Sequence, residues 1–192
     1  AVTLAGLSQM RSALMQKNVN HLAAANEMLD HFNTTLKTDV CYLMDSSGTT
    51  IASSNRHDED SFVEHNFSFR PYFKEAISGN PFSYLALGTT SGKRGLYNSH
   101  PVYISGEKAA IGVVVIKASM AFVESKVGLA DTGIIMITDP NGVIFISNQP
   151  DWLYHLAWPL AKEKINRIGK ERQFGKGPWH WVGLTRESDR KV

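Results

Sequence analysis

Three consecutive strand-like segments place the strongest constraint on how this chain can fold. Residues 82–90 and 94–103 flank a turn, and residues 109–117 carry the apolar run IGVVVI, which ends abruptly in Lys117. Apolar segments of this length, separated by short glycine-containing turns, are typical of neighbouring antiparallel strands. The sequence therefore predicts an antiparallel meander at the centre of the fold.

The segments before this meander complete a small α+β pattern. Residues 40–44 and 49–53 are expected to form strands around an Asp-Ser-Ser-Gly turn. Residues 70–78 predict a short helix, because Pro71 suits the first helical turn and Gly79 suits its end. The order strand, strand, helix, strand, strand, strand indicates an α+β domain with one central sheet.

The first 36 residues have helical periodicity. They contain no proline, and Gly6 is their only glycine, so we expect one amphipathic helix. At ~1.5 Å per residue this helix would be roughly 50 Å long, and it would form a stalk beside two stacked domains. Its apolar positions are Leu4, Leu7, Leu14, Leu22, Leu29, Phe32 and Leu36.

A second, smaller unit of the same type is expected from residue 130 onwards. Residues 134–138 and 143–147 repeat the strand–turn–strand opening around Asp-Pro-Asn-Gly. The remaining expected elements are a helix over residues 119–129, a mixed and partly helical connection over 152–168, and a last strand over 179–185.

Composition excludes several classes of partner. The chain is 43% hydrophobic and 20% charged, as in ordinary globular proteins, and its formal net charge of +2 does not indicate nucleic acid or an anionic membrane as partner. No segment reaches the ~18–20 apolar residues of a spanning helix. The chain starts at Ala1 and stops just after a strand-like run, so we expect an excised part of a longer protein. Cys41 lies in an apolar run and is expected to be an inert core residue rather than a reactive thiol.

The interval between Ala76 and Gly106 contains basic and hydroxyl side chains but no Asp or Glu. Arg70 precedes the short helix and has aromatic neighbours, among them Tyr72, which can add a hydroxyl donor. A planar guanidinium held among rings suits bidentate recognition of a carboxylate. A solvated surface arginine is the alternative. The pattern points to a receptor for a small carboxylate.

Lys117 is the second candidate anchor. Alternation places it on the same sheet face as Val115, and Tyr97 and Ser99 share one face of the preceding strand. If these faces line one hollow, Arg70 and Lys117 clamp opposite ends of a dianion; otherwise Lys117 is a solvated strand-end lysine. Two cations facing one cavity are costly without such a ligand. The hydroxyls of Thr89 and Thr90 are further candidate donors.

Other motifs do not support a different chemistry. The turn at residues 88–93 is one residue short of a P-loop and lies between strands. Residues 57–60 (HDED) are consecutive and favour a solvated loop over a metal site. The pair Ser99-His100 lacks a nucleophile elbow and an identifiable acid, so a periplasmic hydrolase is only a rival. No metal, cofactor or catalytic residue is predicted.

With these residues in place, the chain resembles the extracytoplasmic double Cache (tandem PAS-like) sensor domains of DctB-type dicarboxylate-sensing histidine kinases. The matching segments run in the same order over nearly the whole chain: NFSFRPYF at residues 66–73, ALGTTSGKRG at 86–95, GVVVIK at 112–117 and NGVIFIS at 141–147.

The resemblance implies a layout and a site. The layout is a stalk helix over residues 1–39, a membrane-distal PAS-like domain over 40–129, and a smaller membrane-proximal one over 130–192. The implied parent is a kinase of the bacterial inner membrane, homodimeric, with this chain on its periplasmic side. The distal domain would bind a C4-dicarboxylate through Arg70, Tyr72, Thr89, Thr90, Ser91, Tyr97, Ser99 and Lys117.

The sequence departs from the family pattern at residues 96–100, where LYNSH replaces a more aromatic segment. The resemblance therefore does not fix which carboxylic acid is the ligand. The same sensor fold also occurs on chemoreceptors and cyclic-dinucleotide enzymes. Amino-acid-binding relatives need an acidic side chain for the ligand ammonium. The acid-free interval argues against that ligand class.

Overall fold

A five-stranded antiparallel sheet organises residues 40–119 of this computed structural model. The structure describes residues 1–121, 124–125, 133–175 and 177–184, and the chain divides into two units, Ala1–Ser119 and Met120–Val192. The strands of the first unit are Val40–Asp45 (β1), Thr50–Ser53 (β2), Phe82–Leu87 (β3), Arg94–Tyr103 (β4) and Ala110–Ser119 (β5). Their order in the sheet is β2-β1-β5-β4-β3.

β5 occupies the centre of this sheet, between β1 and β4. Its residues from Gly112 to Lys117 are all buried, because helices cover both faces of the sheet. A strand buried on both sides needs apolar residues at successive positions, which explains the unbroken run IGVVVI. The predicted meander and the α+β class are confirmed.

One face of the sheet is covered by the short helix Pro71–Ile77 (α4) and by the loop before it. Pro71 occupies the first helical turn, where its missing N–H costs no hydrogen bond. Alternate strand residues meet α4 and form an aromatic-rich core. Its members include Tyr42, Phe62, Phe67, Tyr72, Phe73, Tyr97, Val113 and Val115.

The prediction of one continuous N-terminal helix is wrong. Three helices replace it: Val2–Ala5 (α1), Ser8–Met15 (α2) and Val19–Leu36 (α3). Gly6 ends α1, and the Asn18 side chain caps α3 by accepting a hydrogen bond from the backbone N–H of His21. Such a cap gives α3 its own beginning and ends the helical path from α2. The three helices pack on the second face of the sheet, with Leu4, Met10, Ala13, Ala25 and Leu29 against Cys41, Leu43, Val114 and Ile116.

The second unit contains a two-stranded antiparallel sheet, Met136–Thr138 (β6) with Ile144–Ser147 (β7). A 3₁₀ turn at Pro150–Trp152 and the helix Lys162–Glu171 (α5) follow. The predicted last strand is wrong over residues 179–184, where the structure has a single bridge between Leu156 and Trp181. Gly183 has a φ of 90°, which ends extended backbone there. The predicted helix over residues 119–129 lies mostly outside the described residues.

The two hairpins share one hydrogen-bond scheme at their turns. In the first, the Asp45 carboxylate accepts the N–H groups of Ser47 and Thr49 at 2.9 and 3.2 Å. In the second, Asp139 accepts those of Asn141 and Val143, each at 2.9 Å. The aspartate supplies acceptors that a tight turn otherwise leaves to water. Each strand pair also has one register shift, between Leu43 and Met44 in the first and between Ile137 and Thr138 in the second.

The same correspondence extends beyond the turns. Thr50 exchanges backbone hydrogen bonds with His65 and Glu64, at 3.0 and 2.9 Å, and Ile144 does so with His155 and Tyr154, at 2.8 and 2.7 Å. Glu64 and Tyr154 both adopt a left-handed backbone, with φ of 67° and 64°. Non-glycine residues rarely do so. The two hairpins therefore share a hydrogen-bond scheme that extends to the segment after each second strand.

Candidate functional site

Arg70 lies at the beginning of α4 and is almost completely buried, with 1% of its surface exposed. Its Nη2 donates a 2.7 Å hydrogen bond to the carbonyl of Leu87, at the end of β3. Its Cζ lies 5.4 Å from the centroid of the Phe69 ring. The Phe69 ring and the Leu87 carbonyl therefore help to position the Arg70 guanidinium, which donates towards the end of β3.

Lys117 is equally buried, at 1% exposure, on the central strand. Antiparallel register places it beside Tyr97 on β4 and Val40 on β1, so it lies on the face that α4 covers. Its Nζ lies 3.2 Å from an Asp39 carboxylate oxygen and 3.3 Å from the hydroxyl of Ser91. Burial lowers the pKa of Lys117, while the Asp39 carboxylate raises it.

Gly95 makes room for the Lys117 side chain. A Cβ at Gly95 would lie 2.7 Å from Lys117 Cε and 2.9 Å from its Cγ, so the lysine stem crosses β4 where β4 has no side chain. Gly88 is similar, because a Cβ there would lie 2.5 Å from Ser91 Oγ. Sequence reasoning missed both glycines. Glycine inside a strand, which marks close approach of another group, was the available signal for Gly95.

Three tyrosines lie within electrostatic reach of Arg70. Tyr72 stacks on Tyr97 with ring centroids 5.1 Å apart, and the Tyr42 hydroxyl donates to the Tyr72 hydroxyl at 2.9 Å. Burial raises the pKa of Tyr72 to about 12, and the nearby Arg70 charge opposes this shift. Burial likewise raises the pKa of Tyr97, on which both Arg70 and Asp39 act. All three phenols therefore stay neutral and can donate hydrogen bonds at physiological pH.

The predicted hydroxyl residues fall into two groups. Thr89 is exposed and Thr90 is half-buried on the turn between β3 and β4, and Ser91 follows them beside Lys117. Ser99 is different: its buried hydroxyl lies 2.8 Å from the Tyr72 carbonyl and 3.1 Å from the Phe82 carbonyl. This geometry joins β4 to α4 and β3.

Ser99 and His100 do not form a nucleophile and base pair. Adjacent strand residues point to opposite faces of a sheet. Ser99 contacts the carbonyl of Tyr72 on the α4 side, whereas the His100 ring lies 2.9 Å from the carbonyl of Pro101. His100 also lines an open cavity of about 640 Å³ beside α1, which contains none of the predicted site residues.

A small cavity of about 90 Å³ lies beside the Lys117 ammonium. The expectation of a site free of acidic competitors is wrong here, because the residue before β1 and the loop after β2 supply carboxylates from outside the acid-free interval. The residues that line this cavity are Asp39, Val40, Asn55, Asp58, Asp60, Ser91, Lys93 and Lys117. Over the described part of the chain, no cluster of three or more His, Cys, Asp or Glu side chains fits a metal ion.

The antiparallel sheet with helices on both faces is the α+β architecture of a PAS-like sensor domain. No family model matches the chain. It is 38% identical over 166 residues to the C4-dicarboxylate transport sensor protein DctB of Pseudomonas aeruginosa, and 32% identical over 177 residues to that of Rhizobium meliloti. These matches cover 86% and 92% of this chain but only 27% and 28% of the relatives.

Solved structures agree with these relatives. The sensor domain of the Vibrio cholerae histidine kinase DctB superimposes with a TM-score of 0.86 at 33% identity, covering 95% of this chain and 70% of that one. The chain belongs to the DctB-type sensor-domain family. The sensory domain of the Campylobacter jejuni chemoreceptor Tlp3 with isoleucine bound shares the fold at a TM-score of 0.57 and 16% identity, covering 79% of this chain and 60% of that one. Among the described residues, no helix has the length and hydropathy of a membrane span.

Proposed function

We propose that this chain is the extracytoplasmic sensing domain of a membrane-anchored histidine kinase, and that its first unit binds a small dicarboxylate of the C4 class. The observation that supports the ligand class is the burial of Arg70 and Lys117, each 1% exposed, in the layer between one sheet face and α4. Two buried cations in one layer, with hydroxyl donors nearby, favour a ligand with two negative ends, because a planar guanidinium and an ammonium both suit carboxylate groups.

One ligand carboxylate would take the donors of Arg70 in place of the Leu87 carbonyl, and the other would take the ammonium of Lys117. Each charge-assisted hydrogen bond contributes ~1.5–3 kcal/mol. Hydroxyl donors complete the proposed site: Tyr72, Thr89, Thr90, Ser91 and Tyr97. Ser99 is assigned to the scaffold because its hydroxyl already contacts two carbonyls.

We further propose a tandem PAS-like layout, with a distal domain over residues 40–129 that carries the packed helices of residues 1–39, and a proximal domain over 130–192. The shared hydrogen-bond scheme of the two hairpins supports it. A Cβ at Gly48 would meet Ser68, and one at Gly142 would meet Trp158, so these positions correspond. Two residues further along, the first unit has Arg70 and the second has Leu160. The ligand is therefore assigned to the first unit.

We propose the type of parent protein from the relatives that this chain matches. The relatives named as transport sensors and the sensor domain of the Vibrio cholerae histidine kinase DctB support a two-component receptor of the inner membrane, with this chain on the periplasmic side. A homodimeric parent is part of the same proposal. Ligand binding would draw α4 towards the sheet and shift a conformational equilibrium by its differential affinity for the two states. A chemoreceptor output on the same fold is the alternative.

An amino acid is the second candidate ligand. Three carboxylates, those of Asp39, Asp58 and Asp60, line the cavity next to Lys117 and offer a partner for an ammonium group. The dicarboxylate remains the first candidate, because Asp39 already has a cationic partner within the chain.

Calorimetric titration of the isolated chain with succinate, fumarate, malate, aspartate and isoleucine tests the proposal. We expect a dicarboxylate to bind best, and Arg70→Ala to weaken it by at least ~2 kcal/mol, roughly thirtyfold. Arg11→Ala is the matched control, since Arg11 contacts only its own helical region through the Gly6 carbonyl among the contacts described. Binding of isoleucine with silent dicarboxylates would overturn the ligand class.

A further inference from the structure

Asp39 holds the Lys117 ammonium in this structure. Its carboxylate lies 3.2 Å from Nζ, and its backbone N–H donates to the Lys117 carbonyl at 2.9 Å. The lysine side chain is 1% exposed, whereas the Asp39 side chain is 25% exposed. The buried cation therefore has a carboxylate partner that retains access to solvent and can move without opening the core.

We propose that Asp39 is a built-in competitor for one carboxylate of the ligand, and that it sets how strongly an anion must bind to occupy Lys117. This inference rests on the proposed function and names a regulatory residue of the same site. In the ligand-free chain the Asp39 carboxylate partners the cation. In the complex a ligand carboxylate takes the ammonium, and the Asp39 side chain turns towards solvent.

The surroundings of Lys117 favour such an exchange. The cavity beside it contains two more carboxylates, Asp58 and Asp60, and a second cation, Lys93. Within the described residues, Asp39 is the carboxylate in ion-pair contact with Lys117. An anion that entered this cavity without displacing Asp39 would add a further like charge, which is unfavourable at short range. Displacement of Asp39 relieves that repulsion.

The exchange would also reach helix α3. Lys37 ends that helix in a left-handed conformation, and Thr38 donates from its N–H and its hydroxyl to Asn33, at 3.1 and 2.8 Å. Asp39 is the next residue. Release of its carboxylate therefore acts on a segment fixed at both ends, by the last turn of α3 and by β5.

Asp39→Asn tests the competition, with Asp58→Asn as the matched control. Both variants remove one negative charge from the lining of the same cavity, and only Asp39 is paired with Lys117. In calorimetric titrations with succinate we expect Asp39→Asn to bind about fivefold more tightly than the native chain. Asp58→Asn should remain within about twofold, because Asp58 makes no ion pair among the described residues.

The outcomes separate this inference from the proposed function. If the native chain binds succinate and Asp39→Asn gains no more than Asp58→Asn, the competition is refuted and the ligand class stands. If only Asp39→Asn binds succinate, the competition is supported and the native chain's affinity is too low for that ligand. If neither binds, both proposals fail. Lys117→Met in the Asp39→Asn background must abolish the gain in succinate affinity. If circular dichroism shows that Asp39→Asn misfolds, Asp39→Ser replaces it in the same titrations.

Discussion

A single methyl group at Gly95 should weaken ligand binding while leaving the fold in place. The Cβ of Gly95→Ala would lie 2.7 Å from Lys117 Cε and 2.9 Å from Cγ. Carbon atoms prefer about 3.5–4.0 Å, so the lysine stem must move by roughly 1 Å. Its contacts to Asp39 and Ser91, at 3.2 and 3.3 Å, then exceed hydrogen-bonding distance.

The expected loss follows from these distances. Misplacing the ammonium removes about one charge-assisted hydrogen bond to the ligand, worth ~1.5–3 kcal/mol, or about ten- to hundredfold in affinity. Gly95 does not adopt a left-handed backbone, so alanine fits the strand and the main effect is on Lys117. Calorimetric titration with succinate measures the change, and thermal unfolding checks the fold.

Gly6→Ala provides the control, because its nearest contact would be an ordinary 3.4 Å to a carbonyl oxygen of α1. It should bind succinate with native affinity. If Gly95→Ala also binds with native affinity while remaining folded, then Lys117 does not hold the ligand, or its position is not set by the gap in β4. Native affinity of the folded Gly95→Ala variant would therefore refute the proposed geometry of the Lys117 anchor.

Two further predictions concern pH and the scaffold. Because burial lowers the pKa of Lys117, its ammonium is lost at a lower pH than that of an ordinary lysine. Succinate affinity should therefore fall with rising pH before an ordinary lysine would titrate, whereas Lys117→Arg should bind with little pH dependence in the same window. In the same window the unfolded chain binds more protons than the folded one, so the free energy of unfolding without ligand should rise with pH. Ser99→Ala should lower the free energy of unfolding in urea by about 1 kcal/mol, because it removes a buried hydroxyl hydrogen bond between elements. Ser83→Ala, at an exposed site, should cost less than about 0.5 kcal/mol. Weaker succinate binding by Ser99→Ala at native stability would assign Ser99 to the ligand instead.

Local pattern predicted the sheet because period and turn chemistry are properties of neighbouring residues. The apolar run before Lys117 and the glycine-containing turns were sufficient for the strands of the meander. The helical periodicity of residues 1–36 was also real, but its division into three helices depended on a cap at Asn18 and on packing against the sheet. Hydrophobic spacing does not distinguish one helix from several in succession.

The candidate site was predictable in part for the same reason. Arg70 and Lys117 were identifiable because a charged residue beside aromatic or apolar neighbours signals burial. Asp39 was not, since its relation to Lys117 arises from the pairing of β1 with β5, strands separated by most of the first unit. Gly95 required knowledge of which side chain crosses β4. Contacts of this kind are set by register between distant strands, which composition does not encode.

The strand order of the first unit has a mechanical consequence. The polypeptide enters this sheet on β1, directly after α3, and leaves it on β5, the strand beside β1. Entry and exit are thus coupled by one ladder of hydrogen bonds, which begins at the pair Val40 and Lys117. A force generated at that end of the ladder acts on the incoming and outgoing chain together, with no need for a relay through the interior.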